Sequence, residues 1–116
     1  MNLYLIGYRG SGKSTVAPLV AEQLGWTAID SDEQIQTIVG ETIAEIFARS
    51  GEDAFRQWEA SVIEGLSRQT GLVVALGGGA VLDPLTRRRL AESGKSVWLE
   101  ADAKTLFDRI SGDDQT

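Results

Sequence analysis

Residues 7–14 have the types and spacing that most clearly predict chemistry in this chain. They read GYRGSGKS and fit G-x-x-x-x-G-K-[ST] at every required position. An apolar run, LYLIG, precedes the motif and an amphipathic pattern follows it, which is the strand–loop–helix context that the motif requires. Glycines let backbone N–H groups turn toward a phosphate, and a helix N-terminus adds the positive end of its dipole. We interpret the motif as a nucleotide phosphate site rather than a glycine-rich turn with a chance lysine.

Two side chains of the motif carry specific roles. Lys13 is expected to reach the β and γ phosphates of ATP, and the Ser14 hydroxyl is expected to bind Mg²⁺. The predicted nucleotide-binding residues are consecutive: Gly10, Ser11, Gly12, Lys13, Ser14 and Thr15.

A carboxylate for the metal shell has to come from outside the third strand candidate. That strand, LVVAL, runs into Gly77 where nucleotide switches usually carry an Asp. The segment AIDSD offers Asp30 and Asp32 at the end of the second strand candidate, on one side if the segment is extended. Asp30 could then bind the metal through water, and Asp32 could orient or deprotonate the hydroxyl of a second substrate. The alternative is that Asp32 or Ser31 only caps the following helix.

A second pair of charged residues lies on one predicted helix face. Arg56 and Glu59 are three residues apart, so Glu59 could hold the guanidinium while the guanidinium binds a carboxylate through two hydrogen bonds. The alternative is a solvent-exposed ion pair of little energetic value. Phe47 and Phe55, taken alone, are more often core residues than pocket walls.

Three consecutive glycines follow the third strand candidate. Fixing glycine costs conformational entropy, so Gly77, Gly78 and Gly79 predict that something approaches this backbone too closely for side chains. Gly78 could instead require a left-handed φ.

The elements that must position these residues alternate between strand and helix patterns, which predicts a parallel sheet with helices on both faces. Thr42 and Glu45 form a capping-box pattern, and Asp83 with Pro84 predicts a helix start. Phe55, Trp58, Val62 and Leu66 are predicted to share one apolar stripe. Strands are predicted at 3–7, 27–30, 72–76 and 96–100, and helices at 14–25, 31–40, 42–51, 52–69, 83–94 and 102–112.

Composition limits the classes of function. The 116 residues suit one domain, and the formal net charge of −6 provides no general field for nucleic acid or an anionic membrane. The chain has no Cys and no His, so general-base work falls to carboxylates or lysine. No apolar run approaches the length of a membrane span. We expect a monomeric, cytoplasmic enzyme without nucleic-acid or membrane partners.

In their order along the chain, GYRGSGKST, DSD, FRQWE and GGGAV resemble the signature of the shikimate kinase family. The resemblance implies transfer of the γ-phosphoryl of ATP to the 3-hydroxyl of shikimate, in aromatic amino acid biosynthesis. It implies that Asp32 contacts the shikimate hydroxyls and Arg56 the carboxylate. The remaining implied contacts are pocket walls from Phe47 and Phe55, a pocket lining from Gly77, Gly78 and Gly79, and adenine packing by Arg109.

The resemblance also implies a P-loop three-layer α/β/α fold with strand order 2-3-1-4-5. The chain ends at SGDDQT, where the family's lid begins, before the lid arginine and the fifth strand. We therefore expect residues 1–116 to form one kinase core domain truncated at the lid, with strand 96–100 as an uncovered edge. Two alternatives are another P-loop small-molecule kinase, such as a gluconate kinase, and a catalytically inactive nucleotide-binding module.

The P-loop yields the first prediction. Lys13→Ala should weaken ATP or ADP binding by about tenfold or more, because it removes the charged donor that faces the phosphates. Titration calorimetry in Mg²⁺ measures the effect, and an unchanged affinity would show that the nucleotide binds elsewhere.

Overall fold

A four-stranded parallel sheet organises the residues that a computed structural model of the chain describes, 1–7 and 13–99. The strands are β1 Asn2–Gly7, β2 Thr27–Asp30, β3 Leu72–Ala75 and β4 Gly94–Leu99. The helices are α1 Lys13–Leu24, α2 Ser31–Val39, α3 Ile43–Ser67 and α4 Pro84–Ser93, with a 3₁₀ turn at Ala80–Leu82. The predicted helix at 102–112 lies outside the described residues.

The strand order is β2-β3-β1-β4, which confirms the α/β fold and the first four positions of the family order. β1 is central, with Leu5 opposite Ala75 of β3 and Val97 of β4. Every residue of β3 is buried, as expected for a parallel strand covered on both faces. β4 begins two residues earlier than predicted because Gly94 pairs with Asn2.

Alternate residues of the central strands point into two separate apolar layers. On one face Tyr4, Ile6 and Val74 pack with residues of α2, α3 and α4. On the other face Leu5, Val73 and Ala75 pack with Val16, Ala17 and Ala21 of α1. The period of two along each strand produces this division, and it gives the three-layer arrangement.

α3 joins the two helices predicted at 42–51 and 52–69, with a bend at Gly51, where φ is 85° and ψ is 174°. The predicted capping box is present at its start: the amide of Glu45 donates to Thr42 Oγ1 at 3.1 Å, and the amide of Thr42 donates to Glu45 Oε1 at 3.0 Å. The predicted apolar stripe is wrong at Trp58, which is 40% exposed.

Glu59, rather than Trp58, faces inward from α3 because the buried stripe continues from Phe55 at i+4 through Val62, Ile63 and Leu66. Through this buried acidic residue, α3 contributes a carboxylate to the candidate active site described below.

β4 is the outer strand of the sheet in the described part of the chain, and Val97 and Trp98 on it are exposed. The predicted helix start at Asp83 is confirmed, since its side chain accepts the amide of Leu85 and Pro84 opens α4. The helices described within residues 13–99 are too short or too polar to cross a membrane.

Candidate active site

Three chain segments that carry the predicted chemistry lie at the carboxyl ends of the strands. Because the strands are parallel, these ends are all on the same side of the sheet. The P-loop follows β1, Asp30 and Asp32 follow or end β2, and the glycine triplet follows β3. The predicted nucleotide residues Gly10, Ser11, Gly12 and Arg109, and the side chain of Ser14, lie outside the described part of the structure. Thr15 is exposed on the first turn of α1.

Lys13 is the first residue of α1, and its Nζ donates to the carbonyl oxygen of Gly7 at 2.5 Å. Burial lowers the pKa of this amine, while the charges of Asp32 and Asp30 act in the opposite direction. The lysine of the P-loop and both predicted carboxylates therefore share one electrostatic environment.

Asp30 is the cap of α2. Its Oδ1 accepts the amide of Asp32 at 2.9 Å and the amide of Glu33 at 3.1 Å. The alternative that Asp32 or Ser31 caps this helix is therefore wrong. The extended segment expected from Asp30 to Asp32 is also wrong, because the chain is already helical at Ser31. A capping side chain at the last residue of β2 starts the helix there and places Asp32 in its first turn.

Asp32 is half-buried, and its Oδ1 has no hydrogen-bond partner among the described residues. Burial raises the pKa of this carboxyl, and the charge of Asp30 raises it further, against the opposing charges of Lys13 and Arg56. An acceptor in this state is suited to a ligand hydroxyl that donates to it.

Arg56 and Glu59 form a partly buried ion pair with 2.9 Å between Nη1 and Oε1. The side chain of Glu59 is only 5% exposed, so the alternative of a solvent-exposed pair is wrong. Glu52 flanks the guanidinium on its outer side, with 3.6 Å between Oε1 and Nη2. The guanidinium carbon lies 5.3 Å from the centre of the Phe55 ring, a distance at which cation–π attraction contributes.

Glu59 resembles Asp32 in its electrostatics. Burial raises the pKa of its carboxyl, opposed by the hydrogen bond and the charge of Arg56. Its Oε2 is also buried without a hydrogen-bond partner in residues 1–7 and 13–99. The site therefore presents two unsatisfied carboxylate oxygens beside one guanidinium.

The glycine triplet lies against these side chains. A Cβ on Gly77 would lie 2.7 Å from Asp32 Oδ1 and 3.2 Å from Glu59 Oε2, and a Cβ on Gly79 would overlap the guanidinium of Arg56. A Cβ on Gly78 would meet no atom of the described residues within 4 Å. Positive φ occurs in the described residues at Gly25, Gly40, Gly51 and Gly71, so the alternative of a left-handed Gly78 is wrong.

The close approach of protein side chains thus explains why two of these three positions are glycine. Gly77 leaves room for the carboxylates and Gly79 leaves room for the guanidinium. Gly78 is open, and the predicted lining of a ligand pocket by this residue stays a prediction.

Phe47 and Phe55 face each other across the bend of α3, with ring centroids 4.9 Å apart. Phe55 is buried, whereas Phe47 is 38% exposed and offers one ring face beyond the core. A cleft of about 270 Å³ adjoins Arg56, Glu59 and Gly79. Its other lining residues were not predicted as site residues: Glu52, Ala60, Leu82, Asp83 and Thr86. Of these residues, only Glu52 could have been predicted from the sequence, because it lies four residues before Arg56 on the same helix.

The raised pKa of Asp32 generates a prediction about stability. A raised folded-state pKa means that protonation stabilises the fold, an effect present below the unfolded-state value, near 3.8, and lost as pH rises through the folded-state pKa. Asp32→Asn should therefore have a larger free energy of unfolding than wild type at neutral pH. The difference should shrink toward zero as the pH falls below 3.8.

Glu45→Gln is the control of opposite sign. The hydrogen bonds to Thr42 lower the pKa of Glu45, so its charge stabilises the fold above the unfolded-state value of 4.5, and that stability is lost as pH falls. Urea denaturation at neutral and acidic pH compares the two variants. An Asp32→Asn variant less stable than wild type at neutral pH would contradict the account of Asp32.

A family model and individual relatives that match this chain carry the same description. A family model described as "Shikimate kinase" matches residues 9–116. The shikimate kinase of Rhodopirellula baltica is 45% identical over 99% of this chain and 62% of its own length. That of Persephonella marina is 42% identical over 98% of this chain and 70% of its own.

Solved structures agree with the sequence relatives. Shikimate kinase from Acinetobacter baumannii, in complex with shikimate, has a TM-score of 0.84 at 38% identity over 97% of this chain and 63% of that one. The enzyme from Aquifex aeolicus has a TM-score of 0.83 at 32% identity over 93% of this chain and 64% of that one. The chain thus spans a little under two thirds of the length of most of these proteins.

The family model, the relatives and the strand order agree with the motifs first noted in the sequence, and this chain belongs to the shikimate kinase family.

Proposed function

We propose that this chain provides the core of an enzyme that transfers the γ-phosphoryl of ATP to the 3-hydroxyl of shikimate. The single observation that carries the proposal is the grouping around Gly77 and Gly79: two buried carboxylate oxygens that have no hydrogen-bond partner in the described part of the chain, next to a guanidinium. Because carboxylates accept and guanidinium donates, the complementary ligand carries hydroxyl groups and a carboxylate. Shikimate, which the A. baumannii relative binds in its structure, has both.

Asp32 is the proposed acceptor for the attacking hydroxyl. The hydroxyl oxygen forms a bond to the γ-phosphorus, the bond from that phosphorus to the bridging oxygen of ADP breaks, and the hydroxyl proton passes to the Asp32 carboxylate. The raised pKa of Asp32 makes this carboxylate a better base than an exposed aspartate. Its Oδ1, which accepts no hydrogen bond from residues 1–7 and 13–99, is the atom that would receive the proton.

Arg56 is the proposed anchor for the substrate carboxylate. Glu59 holds the guanidinium through Nη1, which leaves other N–H donors for a ligand. Phe55 packs beside the guanidinium, and Phe47, partly exposed, extends this wall. The open position at Gly78 provides space for a ring against the backbone.

The proposed nucleotide site comprises the P-loop residues 10–15, with Arg109 against adenine. Ser14 and Asp30 would hold Mg²⁺, Asp30 through water, and the ion would neutralise charge that develops on the β and γ phosphates. The described residues contain no group of three His, Cys, Asp or Glu side chains able to hold a metal ion. This composition fits the use of Mg²⁺ in kinases, where substrate phosphates and water supply most ligands.

The proposal includes a monomeric enzyme in the cytoplasm, without nucleic-acid or membrane partners. The acidic net charge supports only the absence of nucleic-acid and anionic-membrane partners, because the protein then attracts anions only at local sites such as Lys13 and Arg56.

Asp32 and Arg56 should act on opposite ends of the acid. In the full-length protein, Asp32→Asn should lower turnover by about 10²–10⁴-fold while ATP binding survives, since the amide keeps the shape and loses the basicity. Arg56→Lys should weaken shikimate binding by about tenfold to a hundredfold, because lysine keeps the charge and loses the fork. Coupled spectrophotometric turnover and calorimetry measure the two effects.

An analogue of shikimate without the carboxylate is the matched ligand control. It should bind equally poorly to wild type and to Arg56→Lys. Wild-type shikimate affinity in Arg56→Lys, or wild-type turnover in Asp32→Asn, would contradict the assigned role. A screen in which another polyol acid, such as gluconate, is phosphorylated faster than shikimate would replace the proposed substrate.

Alanine substitutions in the glycine triplet should distinguish loss of contact with the ligand from displacement of the neighbouring side chains. In Gly77→Ala and Gly79→Ala the new methyl displaces the flexible ends of Asp32, Glu59 or Arg56, so kcat/KM for shikimate should fall by about 10²-fold with little change in melting temperature. In Gly78→Ala the methyl meets no atom of residues 1–7 and 13–99, so a loss of shikimate binding with an unchanged melting temperature would report contact with the ligand.

Gly65→Ala is the control for adding a methyl group. Gly65 lies on α3 outside the site, and an added Cβ there would have no atom of the described segments within 4 Å beyond its own helix backbone and chain neighbours. This variant should keep wild-type kinetics. Wild-type kinetics in Gly77→Ala as well would show that the carboxylates near Gly77 do not act in the reaction.

A further inference from the structure

Ser31 is a buried hydroxyl that the proposed reaction has not used. It begins α2, directly between Asp30 and Asp32, and its relative exposure is 0%. The amide of Gly77 donates to Ser31 Oγ at 3.2 Å, across 46 residues of sequence. This hydrogen bond links the junction of β2 and α2 directly to the glycine triplet.

The main chain holds the glycine segment on either side of this amide. The amide of Leu76 donates to the carbonyl of Leu5 at 3.0 Å, and the amide of Ala80 donates to the carbonyl of Gly77 at 3.1 Å. The Gly77 amide lies between these two points and has the Ser31 hydroxyl as its acceptor. Gly77 is half-buried, and an N–H in such a position is costly to leave without an acceptor, so loss of this oxygen would favour a shift of the segment.

A shift of Gly77 would be transmitted to the reacting groups. The space that a Gly77 Cβ would occupy is bounded by Asp32 Oδ1 and Glu59 Oε2. Asp32 follows Ser31 in the same helical turn, so one residue holds both sides of this contact. Two residues further on, the guanidinium of Arg56 occupies the space that a Cβ on Gly79 would take.

We propose that Ser31 is a positioning residue of the phosphoryl-transfer site: its hydroxyl holds the Gly77 amide and so sets the placement of the glycine segment against Asp32. The inference rests on the proposed function, because it assigns to Asp32 and the glycine segment a role toward shikimate. Ser31 itself contacts neither substrate in this account.

The test compares Ser31→Ala, which deletes the hydroxyl, with Ser31→Cys, which nearly keeps the volume but accepts hydrogen bonds weakly. Tyr4→Phe is the matched control. It also deletes one buried hydroxyl. The hydrogen-bond partners of that hydroxyl are Asn2, at the start of β1, and Ser93, at the end of α4, so they lie at the amino-terminal end of the strands. All variants are made in the full-length protein and compared by melting temperature, amide hydrogen exchange and steady-state kinetics.

Both Ser31 variants should lower kcat with shikimate by about ten- to a hundredfold and leave KM for ATP within about twofold of wild type. The Gly77 amide should exchange at least about tenfold faster in both variants. Tyr4→Phe should change the melting temperature and neither of these quantities.

Three results would overturn the inference. Unchanged exchange at Gly77 would show that the hydroxyl does not hold the amide. Wild-type kcat in Ser31→Cys would show that the hydrogen bond is dispensable, and a loss of kcat no larger than that of Tyr4→Phe would show a purely structural role. A wild-type protein that does not phosphorylate shikimate would overturn the proposed function and this inference together, whereas an active wild type with control-like Ser31 variants overturns only the inference.

Discussion

The partly buried ion pair of Arg56 with Glu59 is the interaction on which the geometry of the site depends. Glu59 lies in the apolar stripe of α3, where a charge is costly unless it has a partner. Its bond to Arg56 satisfies one oxygen and directs the guanidinium toward the glycine segment after β3. The bend at Gly51 then brings Phe47 against Phe55, beside the same guanidinium. One helix therefore supplies the charge, its partner and the aromatic wall.

The same arrangement works against stability. Burial raises the pKa of Asp32 and of Glu59, and each retains an oxygen without a hydrogen bond in the described residues. Unsatisfied buried acceptors are costly in a fold, and they remain where a ligand later supplies the donors. The apolar layers on both faces of the sheet, around Val74 and Val73, offset this cost.

The glycines of this chain serve two separate physical purposes. Gly51 has a backbone conformation that residues with a Cβ rarely adopt, and it permits the bend within α3. Gly77 and Gly79 have ordinary φ values, and their lack of a side chain instead admits the ends of Asp32, Glu59 and Arg56. Distinguishing the two purposes requires coordinates, because a glycine in a sequence does not show whether its dihedral angle or its neighbours exclude a Cβ.

Features whose causes lie within a few residues were determined by the sequence alone. The order of strands and helices within residues 1–7 and 13–99, the capping box at Thr42 and the start of α4 at Asp83 follow from local hydrogen bonding and periodicity. They were predicted correctly, except that the helices predicted at 42–51 and 52–69 form the single helix α3. The order of the motifs was sufficient to identify the family. The remaining features of the site depend on packing between segments that are far apart in sequence. Packing turned Glu59 inward and Trp58 outward, which helical spacing alone did not distinguish. It also left Asp32 with an oxygen that has no hydrogen-bond partner among the described residues and joined Ser31 to Gly77, because burial and contact depend on what the rest of the chain places nearby.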